Sequence, residues 1–74
     1  MSLQTIVASN VRGFRIKRNM TQEELAIKSK MSPNFLACFE RGETGLALAR
    51  LEKNAKTLKV LPHVLLIPES YKQP

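Results

Sequence analysis

Two helix starts stand eleven residues apart in the stretch TQEELAIKSKMSPNFLACFERG, Thr21 to Gly42. The Thr21 hydroxyl can accept from the amide three residues on while Glu24 reaches back to the Thr21 amide, which makes a capping box. Ser32 is a second cap, and Pro33 follows it at the first helical position, where the missing amide would have gone unpaired anyway. Gly42 ends that helix. The two segments, about 22–29 and 33–41, are separated by Lys30 and Met31, too few residues for a long antiparallel hairpin. Short helices joined this tightly cross steeply. A helix that crosses its predecessor and projects from the surface has the shape that enters a groove of duplex DNA.

The flanking sequence supplies the body that holds this pair. Leu3, Ile6, Val7, Val11 and Phe14 recur at three- and four-residue steps, which predicts an amphipathic helix over 3–18. Arg12, Arg15, Lys17 and Arg18 load its last turns with positive charge, and Asn19 stops it in the left-handed conformation. Leu25, Ala26, Leu36 and Phe39 are the expected inward residues of the central pair. A fourth helix is expected over 47–58, with Leu48, Leu51, Ala55 and Leu58 inward, and a fifth over 62–66, starting at Pro62 and halted by Pro68. The tail, 68–74, reads as loosely packed or disordered.

Composition narrows the function classes. At 74 residues, 43% hydrophobic and 24% charged, the chain fits a single domain over 1–74 with one thin core and little space for a substrate pocket. One cysteine, Cys38, and one histidine, His63, cannot make an internal disulfide or a zinc cluster, so neither metal nor cofactor is expected. No Ser/His/Asp set or Gly-rich phosphate loop points to catalysis. No apolar run spans a bilayer and no leader pattern is evident, so the expected setting is the cytoplasm, without a membrane partner or an evident small-molecule ligand. Twelve Lys and Arg against six Asp and Glu give a net charge of +6, which favours a polyanionic partner.

The ordered pieces TQEELA, MSPNFL and FERG resemble the Cro and phage-repressor type of helix-turn-helix, often called the XRE family. The resemblance runs from about Val7 to Leu66. It implies an all-α, compact five-helix, lambda-repressor-like DNA-binding domain with the helix-turn-helix at helices 2 and 3, bacterial or phage-encoded, and non-enzymatic. It also implies roles for particular residues. Gln22 matches the position that bonds a DNA phosphate, where the helix dipole assists. Arg15 and Glu40 match an ion pair tying helix 1 to helix 3. Pro33, Asn34, Phe35 and Cys38 take the outward, base-facing positions of the recognition helix. Of these, Asn34 has the chemistry for adenine and Phe35 for a thymine methyl. Ser32, Arg41 and Thr44 fall where phosphates are held.

Four features depart from the family pattern. Lys30 stands where the turn usually has Gly, which implies strain of about 1 kcal/mol or a different turn. Leu46 and Ala47 replace the usual Pro and cap before helix 4, and Asn54 falls at an apolar position. Glu43 also puts negative charge beside a phosphate position. The resulting expectation is a sequence-specific regulator of double-stranded DNA, a repressor or activator, acting as a homodimer through Val64, Leu66 and Ile67. A protein-interaction or antitoxin-like module of the same fold, with Phe35 as anchor, is the second reading, and non-specific nucleoid packing is the third.

Overall fold

The computed structural model describes residues 2–73. Among them are four α-helices, α1 (Leu3–Lys17), α2 (Gln22–Lys28), α3 (Pro33–Glu40) and α4 (Leu48–Leu58), followed by 3-10 segments at Pro62–Leu66 and Ser70–Lys72. No strand is present among the described residues. α1 packs against α3, α4 and both 3-10 segments, and α2 packs against α3 and α4.

The cap chemistry acts as the sequence dictates. Thr21 Oγ1 accepts from the Glu24 amide at 3.1 Å and Glu24 Oε1 from the Thr21 amide at 2.9 Å. The bond from the Thr21 backbone amide, first among the causes, holds the Glu24 carboxyl below the usual glutamate range. Ser32 Oγ accepts from the Phe35 amide at 3.0 Å. Ser29 and Arg41, read from sequence as helical, instead cap α2 and α3, and Arg18 caps α1. Gly42 leaves α3 with φ of 78°, a conformation open to glycine at no steric cost.

One apolar cluster joins Val7, Val11 and Phe14 of α1, Leu25 and Ala26 of α2, Leu36 and Phe39 of α3, Leu51, Ala55 and Leu58 of α4, and Leu65. Two inward assignments fail. Leu48 is 77% exposed and Leu3 is also exposed, because each occupies the first turn of its helix, beyond the edge of the core. The expected fifth α-helix is a single 3-10 stretch, too short and too tightly bounded by Pro62 and Pro68 to propagate α-helical bonding.

The C-terminal segment is docked, which corrects the expectation of a loose tail; Pro74 lies outside the described residues. Buried Asn10 donates through Nδ2 to the carbonyls of Leu65 at 2.9 Å and Ile67 at 2.7 Å. Ser70 Oγ donates to the Val64 carbonyl at 2.6 Å, and Lys17 Nζ donates to the Gln73 carbonyl at 2.9 Å. Tyr71 packs directly on Gly13, where an added Cβ would clash with the ring. Polar side chains and one glycine thus hold what the apolar pattern alone does not.

Asn19, Lys30, Lys59 and Glu69 all adopt the left-handed region. Lys30 resolves the question raised by its position: it keeps the left-handed turn, with φ of 57°, and carries the strain. Lys30→Gly is therefore expected to raise the unfolding free energy by about 0.5–1 kcal/mol, the relieved strain less the added chain entropy of glycine, measured by urea titration.

Candidate nucleic-acid interface

Three helices meet at the Glu40 carboxylate. Arg15 donates to it as a fork, Nε to Oε2 at 2.8 Å and Nη2 to Oε1 at 3.0 Å. The side chains are 12% and 2% exposed, so the pair is largely withdrawn from water. Gln22 Nε2 donates to the same Oε1 at 3.0 Å, and Arg15 Nη1 donates to the Met20 carbonyl at 2.9 Å. An ionised carboxylate this buried persists only when charge-paired and well bonded. Glu40 therefore fixes α3 relative to α1 and to the start of α2.

That fixation presents the first turn of α3. Pro33, Asn34 and Phe35 are exposed and Cys38 is half-buried, so the outward face expected from the sequence is the face that points outward. Gln22, Pro33 and Asn34 line one shallow groove between the starts of α2 and α3. Gln22 has two amide hydrogens, and with one on Glu40 the second is directed by that bond. Ser32 is exposed, although its hydroxyl is occupied by its capping role.

At the far end of α3 the arrangement is less open. Arg41 donates to Glu43 through Nε at 2.7 Å and Nη2 at 3.1 Å, with Nη2 also 3.3 Å from Cys38 Sγ. Hydrogen bonding from Arg41 holds the Glu43 carboxyl below its usual range, and the same bond raises Arg41 above its own. Thr44 is half-buried and makes only a long contact, 3.5 Å, to the Gly45 carbonyl. Arg41 and Gly42 share a groove with Arg12 of α1, which the sequence marks as part of the basic end of that helix but not as a DNA contact. Its signal was the same i, i+3 basic run that includes Arg15.

The dimer candidates lie elsewhere. Val64 is half-buried and packs on the core, whereas Leu66 and Ile67 are 39% and 49% exposed. Leu66 lines an apolar groove with Leu3 and Leu48. Leu65 alone turns fully inward.

The sequence pattern described as "Helix-turn-helix" matches residues 11–65, which span all four helices in part or whole. The chain belongs to the helix-turn-helix family of transcriptional regulators. This regulator is similar to a hypothetical transcription factor of Neisseria meningitidis, with 35% identity over 66 residues covering 89% of this chain and 62% of that protein. The crystal structure of that Neisseria factor superposes with a TM-score of 0.87 at 34% identity, over 92% of this chain and 78% of that one. Control protein C.BamHI of Bacillus amyloliquefaciens is 33% identical over 66 residues, 88% of this chain and 82% of that protein. The restriction-modification controller protein C.AhdI of Aeromonas hydrophila has a TM-score of 0.80 at 26% identity, over 84% of this chain and 94% of that one. The regulator thus spans less than two thirds of the length of the Neisseria protein. The family is one of DNA-binding proteins and not of enzymes. Among the described residues, no helix of the regulator is long and apolar enough to cross a membrane.

Removing one partner of the Arg15–Glu40 pair leaves the other buried and uncompensated. Glu40→Ala is expected to destabilise the regulator by about 3 kcal/mol in urea titration, with Arg15→Met/Glu40→Leu recovering most of the loss.

Proposed function

We propose that this regulator binds a near-palindromic operator in duplex DNA as a homodimer, with α3 in the major groove. The observation that carries the reading is the exposed Asn34–Phe35 pair on the first turn of α3, a turn held at fixed orientation by the Glu40 junction. Asn34 offers the donor and acceptor that match adenine N7 and N6, and Phe35 offers an apolar face to a thymine methyl. Pro33 and Cys38 flank them. Gln22, Ser32, Arg41 and Thr44 border this face on both sides and would hold phosphates, which position the helix without specifying sequence. The net charge of +6 supports the same partner.

A single recognition helix reads only a few base pairs, so specificity calls for two copies related by a two-fold axis. Exposed Leu66, which shares an apolar groove with Leu3 and Leu48, and exposed Ile67 support an apolar contact between copies, with Val64 as its partly buried edge. The similarity to proteins named as a transcription factor and as control proteins supports the regulatory role.

Selection of bound duplexes from a random pool, followed by titration at two salt concentrations, tests this reading. The expected result is an enriched motif with two-fold symmetry and steeply salt-dependent affinity. Absence of enrichment with weak binding at both salts would contradict it.

Arg41 is the phosphate candidate with a competitor, since Glu43 already occupies its fork. Glu43→Gln should free the guanidinium, tighten operator binding by about threefold to tenfold and steepen the log–log salt slope by about 0.9, measured by fluorescence anisotropy. Unchanged affinity and slope would place Arg41 off the phosphates.

A further inference from the structure

α4 meets the turn between α2 and α3 with three polar side chains at i, i+4 and i+7. Arg50 Nη1 donates to the Lys30 carbonyl at 2.8 Å. Asn54 Nδ2 lies 3.3 Å from Met31 Sδ and donates to the Arg50 carbonyl at 2.8 Å. Thr57 Oγ1 is 3.4 Å from Ser29 Oγ. One stripe of one helix therefore touches three consecutive residues, Ser29, Lys30 and Met31, around the left-handed lysine. Asn54 is fully buried, and its Oδ1 has no partner among the described residues. Its amide donor is what serves the fold.

Arg50 does a second thing. Its guanidinium carbon lies 5.9 Å from the centroid of the Phe35 ring. A planar guanidinium can donate from its edge while its face rests on an aromatic ring, which an ammonium cannot reproduce. The same group is thus bonded to the turn carbonyl and set over an aromatic side chain of α3 that stays 37% exposed. An exposed aromatic with no such neighbour would exchange rotamers and present no single plane to a base.

We propose that Arg50 is a positioning residue for base reading: by joining the Lys30 turn to the Phe35 ring, it fixes that ring in the groove and sets a preference for thymine at the base pair it meets. The inference rests on the reading of α3 as the base-contacting helix. It gives Arg50 a role in specificity through Phe35, without a base contact of its own.

The test compares wild type, Phe35→Ala, Arg50→Lys and Arg50→Lys/Lys30→Gly on the selected operator and on copies in which each thymine of a half-site is replaced by deoxyuridine, which lacks the methyl group. Wild type should weaken about fourfold at one thymine, the scale of burying one methyl-sized group, and Phe35→Ala should lose that difference. Arg50→Lys keeps the charge, so its salt slope should stay at the wild-type value while the thymine preference disappears. Adding Lys30→Gly should return stability but not the preference. A preference retained in Arg50→Lys, or one that returns with stability in the double variant, would overturn the inference and leave DNA reading intact. A wild-type protein that selects an operator yet is indifferent to every thymine methyl would overturn it together with the Phe35 contact.

Discussion

The Glu40 carboxylate is the constraint on which the orientation of the exposed α3 face depends. Three helices meet around it, and two of them, α2 and α3, of 7 and 8 residues, are too short to persist on propensity alone. The apolar cluster supplies most of the driving force, but apolar packing tolerates small rotations of one helix on another. A bidentate arginine fork and an amide aimed at the same carboxylate tolerate far less. The pair therefore contributes orientation more than net stability, since hydrophobic replacement of a buried ion pair is often neutral. The orientation it sets is that of the surface where Asn34 and Phe35 stand out.

A second polar layer works from the opposite side. Arg50, Asn54 and Thr57 of α4 brace the turn that Lys30 strains, while Asn10 and Lys17 of α1 hold the C-terminal carbonyls. In a core this thin, a few side-chain-to-backbone bonds do what a thicker apolar layer does in a larger protein. The charge distribution follows a similar economy: most of the excess lysine and arginine is on exposed surface, whereas Glu43 locally opposes Arg41 beside the phosphate positions. Under the proposed function, field strength and contact geometry are separable: the net charge would draw DNA in, and the Glu43 pair would moderate how tightly one edge is held.

The legible part of the fold was the part written in local chemistry. Thr21, Glu24, Ser32, Pro33 and Gly42 declare helix ends through bonds to their immediate neighbours, and each adopts its expected role. The Arg15–Glu40 pair was reached through family resemblance, because nothing in a separation of 25 residues reveals a contact. What stayed illegible depends on where the core ends. Leu3 and Leu48 fit the helical period yet fall outside the core, Asn10 and Ser70 look like surface residues yet are buried, and Asn54 fills an apolar position, because backbone carbonyls accept from all three. The tail lacked an apolar period, so its docking through Tyr71 on Gly13 was invisible until α1 and the C-terminus were seen together. At the site, the outward residues of α3 followed from the family resemblance, whereas the pairing of Arg41 with Glu43 and the placement of Arg50 over the Phe35 ring depend on rotamers that neither spacing nor resemblance determines.

The most direct test of the central claim, that the first turn of α3 and its flanks form the DNA-reading surface, is residue-by-residue amide chemical-shift mapping on titration with a selected duplex. The expected perturbations centre on Gln22, Asn34, Phe35 and Cys38 and extend through Arg41 to Thr44. Perturbations concentrated instead around Leu3, Leu48 and Leu66, with the α3 amides unmoved, would contradict it.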